Sequence, residues 1–316
     1  MKTIYGIKDL NGNIRNPVAT LGMFDGVHRG HQEIINRVRR LAREKGGESV
    51  VITFNRHPKT VIDKRSPSFI TSLAHRLALL ERLEVDHTVV LEFDHALSQM
   101  SAGDFVKEIL AGRLGVRYLI LGFNCRFGKD RQGDVTLVRG LADKYGFEVF
   151  ECPPVMYHGQ AVSSTAIRQA ILDGDLQKAE GMLGRPVSIM GTVVAKSGRG
   201  KTLGYPTANL NLHHEVRPPR GVYGTRVTWK GQNYLALTNI GLRPTFAREP
   251  FTSEDETLEI EVHILDFHES IYGCDLEVQF LFKIRDEITF QSVDELKARI
   301  EKDKESLLAH CFEIAS

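Results

Sequence analysis

Residues Gly22–His31 read G-M-F-D-G-V-H-R-G-H and follow a short apolar run, Val18–Leu21. That run has the composition of a buried strand, and Gln32–Lys45 behind it carries Ile, Val, Leu, Arg and Glu at helical spacing. A strand, a glycine-bearing turn and a helix entrance present backbone N–H groups and a positive dipole end to a phosphate. His28 and His31 stand three apart, so on a first helical turn both rings reach one anion. Gly30 between them removes a side chain where a ligand must approach the backbone closely. Two histidines alone read as a cap or a solvent-facing pair. The preceding strand, the glycines at 22, 26 and 30, and Asp25 in the turn favour a phosphate site instead.

Outward from this motif the first half of the chain alternates. Strand-like runs fall at Val18–Leu21, Ser49–Phe54, His87–Phe93, Arg117–Leu121 and Glu148–Phe150. Helical patterns fall between them, at His31–Lys45, Leu73–Leu83, Ala102–Leu114 and Val135–Tyr145. The alternation predicts a Rossmann-like α/β domain, a parallel sheet with helices on both faces and ligands at the carboxyl ends of its strands. Ser163–Gly181 reads as two short helices, and the texture changes near Gly184-Arg185-Pro186. Strands then dominate, at Val187–Ala195, Gly221–Trp229, Tyr234–Ile240, Thr257–Leu265 and Asp275–Phe282, which predicts a small antiparallel β-barrel. An amphipathic terminal helix, Ser292–Leu308, closes the chain, with Ser292 as N-cap and Glu295 completing a capping box. The expected domains are 1–184 and 185–316.

The composition narrows the classes. At 316 residues two domains are the default, and 42% hydrophobic residues suffice for real cores. A formal net charge of +1 argues against a nucleic-acid binder, which needs a basic stripe. Cys125, Cys152, Cys274 and Cys311 form no CxxC pair, which suits neither zinc nor a disulfide framework and fits a reducing cytosol. Met1–Leu10 lacks an apolar signal core, and no apolar run approaches a membrane span, so a cytoplasmic protein is expected. The oligomeric state is left open.

A second phosphate site is suggested in the latter half. Ala195–Thr202 reads A-K-S-G-R-G-K-T, but Gly204 and Pro206 would break the helix that a P-loop must open. Gly198 and Gly200, with Lys201, still suit a loop over phosphates. Thr207 and Asn209 then alternate with Ala208, so in extended chain they share a side, and their oxygens suit a Mg²⁺ shell. Within Thr257–Leu265, Leu258, Ile260, Val262 and Ile264 form one face, and Glu259, Glu261 and His263 the other. The bland reading is a half-buried strand with a wet face. The chemical one is a carboxylate acting as general base.

These residues resemble the bifunctional bacterial FAD synthetases, a riboflavin kinase joined to an FMN adenylyltransferase. The likeness runs through T-L-G-M-F-D-G-V-H-R-G-H (20–31), I-T-F-N-R-H-P (52–58), L-G-F-N-C-R-F-G (121–128), S-S-T-A-I-R (163–168), L-G-Y-P-T-A-N-L (203–210), G-V-Y-G (221–224), N-I-G-L-R-P-T-F (239–246) and E-V-H-I-L-D-F (261–267). The resemblance implies phosphorylation of riboflavin by ATP in the barrel, then adenylylation of FMN by a second ATP in the α/β domain, giving FAD and pyrophosphate. It assigns Mg²⁺ and kinase phosphate contacts to Thr207 and Asn209, and the base role to Glu261; Glu259 shares that face by spacing alone and ranks second. His28 and His31 would stabilise the α-phosphate transition state. Gly22, Phe24, Asp25, Gly26, Ser164, Thr165 and Arg168 would bind the second ATP, and Asn124 the FMN. The chain departs from the family pattern at Asn55-Arg56, Asn124, Ala161 and Lys196-Ser197.

Overall fold

The computed structural model describes residues 1–10, 13–56, 68–195, 204–213, 215–242 and 258–315, with side chains to 312. The chain divides into two compact units, Met1–Ser164 and Thr165–Ser316.

The first unit holds a six-stranded sheet, parallel throughout. Its strands are β1 (Lys2–Tyr5), β2 (Val18–Leu21), β3 (Ser49–Phe54), β4 (His87–Leu91), β5 (Tyr118–Gly122) and β6 (Glu148–Cys152), in the order β1-β4-β3-β2-β5-β6. Strand β1 was not anticipated: four residues of mixed polarity become an edge strand only by pairing with β4. The chain progresses from β2 through β3 to β4 on one side, then returns to place β5 on the other. The crevice at the carboxyl ends of β2 and β5 is therefore the topological switch point, where open α/β sheets bind ligands. Strand β2 is fully buried and feeds two cores by alternation. Ala19 and Leu21 join Val50, Ile52, Val89 and Leu91, whereas Val18 packs with Ile120 and with Val38 and Ala42 of α1 (Arg29–Glu44).

Helix α2 (Leu73–Arg82) packs Leu79 and Leu80 on the face that receives Val51 and Ile35. After α3 (His95–Gln99), the predicted helix 102–114 opens as α4 (Ala102–Asp104) and continues as a π-helix over Phe105–Leu114. Phe105, Val106, Ile109, Leu110 and Leu114 are buried along it, a spacing that the wider turn accommodates. Helix α5 (Val135–Tyr145) and a hairpin of β7 (Met156–Tyr157) and β8 (Gln160–Ala161) complete the unit.

Helices α6 (Ser164–Leu172) and α7 (Leu176–Leu183) lead to a closed six-stranded barrel. Its strands are β9 (Val187–Val194), β10 (Ala208–Leu212), β11 (Gly221–Trp229), β12 (Gln232–Leu242), β13 (Leu258–Ile264) and β14 (Asp275–Arg285), all antiparallel in the order β10-β13-β12-β11-β14-β9. Strand β10 is the one that sequence periodicity did not mark, and it closes the barrel by pairing with both β9 and β13. Strands β11 and β12 meet in a two-residue turn, Lys230-Gly231, both at positive φ (48° and 80°). That is the geometry a tight hairpin demands.

Terminal helix α8 (Val293–Ala315) starts at Ser292, whose Oγ accepts the Glu295 N–H at 3.1 Å. Its buried Leu307 packs with Leu237, Phe282 and Ile284 of the barrel. Asp303, 1% exposed, accepts from Arg285 of β14 (Nε to Oδ2 2.9 Å, Nη2 to Oδ2 2.8 Å) and from Arg299 (3.2 Å). Removing one partner of such a pair leaves a charge uncompensated. Asp303→Ala is therefore expected to cost about 3 kcal/mol, read by urea unfolding through the fluorescence of the single tryptophan, Trp229, in β11. An unchanged midpoint would refute the role given to this ion pair.

Candidate functional site

The turn after β2 adopts backbone that most residues avoid. Phe24 (φ 51°), Gly26 (φ 81°) and Val27 (φ 40°) all sit in the left-handed region, which is costly for a β-branched valine. Several bonds within the first unit impose it. Asp25 Oδ1 accepts the N–H groups of Ile70 (2.9 Å) and Thr71 (3.1 Å), and Gly26 N–H donates to Thr71 Oγ1 at 2.9 Å. Ser164 Oγ donates to the Asp25 carbonyl at 2.9 Å, and Gln32 Nε2 to the Val27 carbonyl at 2.8 Å. Beneath the turn, Arg76 donates to the carbonyls of Met23 (2.5 Å) and Phe54 (2.7 Å). Burial pushes its guanidinium down to about 10 while Asp25 opposes the shift, so the group remains a cation at neutral pH. A buried positive charge thus lies under the loop that would meet an anion.

His28 caps α1. Its Nδ1 accepts the His31 N–H at 3.3 Å, so the cap requires the neutral ring's proton on Nε2, which remains a donor. The His28 and His31 rings stack with centroids 3.5 Å apart and planes within 16°. Phe24, 2% exposed, sets its edge against His31 at 5.1 Å. A Cβ on Gly30 would come within 3.2 Å of His28 Cε1 and 3.3 Å of Nδ1. A side chain at this position would crowd the first imidazole, so the glycine leaves that ring its room. Phe24 and Asp25, expected among the ATP contacts, turn their side chains inward and shape the loop.

Asn124 lies exposed just past β5, the sheet neighbour of β2, and so at the same carboxyl edge as the histidines. A Cβ on Gly122 would lie 3.1 Å from Ile34 Cδ1 of α1 and 3.7 Å from Asn124 Oδ1. The Cys125 thiol beside it is pushed up to about 12 by burial, so it is not a nucleophile. On α6, Thr165 is exposed and Arg168 half-buried, three residues apart on one face.

In the barrel, Asn209 on β10 stands directly opposite Glu261 on β13, and Glu261 opposite Asn239 on β12. Directly opposed residues of antiparallel strands share a face, so the three form one polar row. On β13, Ile260, Val262 and Ile264 are buried and Glu259, Glu261 and His263 half-buried, as the alternation predicts. Asn209 is 8% exposed, and its Oδ1 has no hydrogen-bond partner among the described residues. Thr207 lines a cavity of about 100 Å³ with Val193, Ala208, Val262, Phe267 and Tyr272. Gly198, Gly200 and Lys201 lie outside the described residues, as do 243–257. Arg76 and Asn239 escaped the sequence reading. Arg76 sits in an ordinary amphipathic pattern, whereas Asn239 opens the N-I-G-L-R-P-T-F block, which was its only signal.

A parallel sheet with an anion-ready helix start and a closed barrel with a polar strand row are two ligand-binding architectures in one chain. Residues 11–166 match the family model described as FAD synthetase, and 183–311 the one described as riboflavin kinase. A Haemophilus influenzae protein called bifunctional riboflavin kinase/FMN adenylyltransferase is 36% identical, over 98% of this chain and 99% of its own. The Escherichia coli protein of the same description is also 36% identical, over 96% of each chain. A crystal structure from Streptococcus pneumoniae, described as a macrolide-efflux protein, superposes with a TM-score of 0.80 at 34% identity, over 96% of this chain and 98% of that one. The chain belongs to the bifunctional riboflavin kinase/FMN adenylyltransferase family. Among the described residues no helix is long and apolar enough to cross a membrane.

The capping role of His28 separates from any chemistry. His28→Ala is expected to destabilise the first unit by about 1 kcal/mol, and His28→Asn to restore most of it, since asparagine caps well. Thermal unfolding of the two variants checks this, and equal stability of His28→Ala and the parent would refute the cap.

Proposed function

We propose that the barrel transfers the γ-phosphate of ATP to the ribityl 5′-hydroxyl of riboflavin, giving FMN and ADP. The sheet domain then joins FMN to the AMP moiety of a second ATP, giving FAD and pyrophosphate. Residues 1–184 carry the adenylyl transfer and 185–316 the phosphoryl transfer. The observation that carries this reading is the capped, stacked His28–His31 pair at the switch point of the sheet. The opposed Asn209 and Glu261 of the barrel accompany it.

In the first reaction Glu261 takes the proton of the 5′-hydroxyl as its oxygen attacks phosphorus. Thr207 and Asn209 hold phosphate oxygens and Mg²⁺. An amide oxygen buried without a hydrogen-bond partner among the described residues suits a hard cation. When bound, Mg²⁺ supplies charge neutralisation at the transferring phosphoryl group. Gly198, Gly200 and Lys201 cover the phosphates. In the second reaction an FMN phosphate oxygen attacks the α-phosphorus, and pyrophosphate leaves. His28 Nε2–H and His31 stabilise the charge developing there. Gly22 and Gly26 let the turn that meets ATP pack closely on Phe24 and Ile70, Phe24 and Asp25 shape it, and Ser164, Thr165 and Arg168 hold the remaining phosphates. Asn124 contacts FMN. Arg76 adds positive potential from below. We place the enzyme in the cytoplasm, where its four thiols stay reduced, acting on small molecules without nucleic acid or membrane.

A chromatographic time course with riboflavin, ATP and Mg²⁺ is expected to show FMN rising and then giving way to FAD. No FAD from added FMN would overturn the reading of His28 and His31. His28→Asn is expected to cut FAD formation at least about 100-fold, the scale of one lost oxyanion donor, with FMN formation retained. Glu261→Gln is expected to slow FMN formation by about 100-fold or more, leaving adenylylation of supplied FMN intact. If Glu259→Gln does the damage instead, the base is Glu259.

A further inference from the structure

The approach to Thr207 and Asn209 is weakly paired. The ladder between β10 and β13 covers only Ala208 and Asn209, and Pro206 has no N–H to extend it. Three side chains from separate elements meet there. His263 Nδ1 lies 2.9 Å from the Pro206 carbonyl oxygen. A carbonyl only accepts, so Nδ1 carries the proton and donates. The Tyr205 ring stands edge-on to His263, with centroids 5.5 Å apart and planes at 77°. The Tyr205 hydroxyl donates to Glu301 Oε1 of α8 at 2.7 Å, and that bond raises the phenol above its ordinary range.

Glu301 is not on a loose helix end. It lies two residues from Asp303, which Arg285 ties to β14 and which Arg299 pairs with inside α8. A continuous set of contacts thus runs from β14 through α8 and Tyr205 to the backbone one residue before Thr207. We infer that Tyr205, His263 and Glu301 are positioning residues for the phosphoryl transfer, holding Pro206 so that Thr207 and Asn209 converge on the nucleotide phosphates. This rests on the assignment of Thr207 and Asn209 made above. The competing account is an exposed hydrogen bond without consequence for the site.

The test uses the full-length enzyme and measures riboflavin kinase kcat and the KM values for ATP and riboflavin. Tyr205→Phe and Glu301→Ala are each expected to raise KM for ATP about three- to tenfold, with kcat and KM for riboflavin within about twofold. Glu301→Gln is expected to restore KM, because its amide oxygen still accepts the phenol proton. The double variant Tyr205→Phe with Glu301→Ala is expected to be no worse than either single one, as for two ends of one contact. Urea unfolding followed through Trp229 of β11 serves as the control for folding of the barrel, and adenylylation of supplied FMN as the control for the other unit. An unchanged KM for ATP, or additive effects in the double variant, would overturn the proposal. Asn209→Ala with wild-type kinase activity would instead overturn the assignment on which it rests.

Discussion

The left-handed turn between β2 and α1 depends on one buried carboxylate. Asp25 spans the N–H groups of Ile70 and Thr71, and its own backbone carbonyl is held by Ser164. Without those bonds Phe24 and Val27 would relax from positive φ, and His28 would leave the position from which it caps α1. The cap, the ring stack and the glycine that leaves it room then follow in sequence. Strain in the turn is offset by polar contacts reaching across more than forty residues of chain, so the site is formed by the folded unit and not by the local peptide.

The barrel solves its problem differently. Its polar row sits on regular strands, so cross-strand register rather than strain brings Asn209, Glu261 and Asn239 together. The strand with the weakest local signal, β10, is the one that both closes the barrel and carries Asn209. Closure leaves no open edge, and a site on the closing strand is present only once the barrel is whole.

Much of this was legible residue by residue. Ser49–Phe54 and Val135–Tyr145 are strand and helix at the limits their patterns predict, because a fully buried β-run and a single apolar helical face leave few alternatives. Lys2–Tyr5 and Ala208–Leu212 were missed because their strand character comes from neighbours, β4 in one case and β9 with β13 in the other. The hairpin limits were missed at Gln232 and Asn233, polar and exposed residues that pair only because Lys230-Gly231 forms so tight a turn. Among the candidate residues, His28 and His31 stood out by residue type and spacing, whereas only the family resemblance separated Glu261 from Glu259. Arg76 could not, since its function depends on which carbonyls lie above it.

The sequence alone determined the two architectures, their order along the chain and the groups able to do chemistry, because periodicity, turn residues and motif spacing act locally. The tertiary structure decided which nitrogen of His28 accepts the cap, that the two imidazoles stack, that Phe24 and Asp25 face inward, and which amide stands opposite Glu261. Each of these is a relation between side chains distant in sequence or a choice among rotamers. Such relations are settled by packing and hydrogen-bond geometry, which no linear pattern encodes.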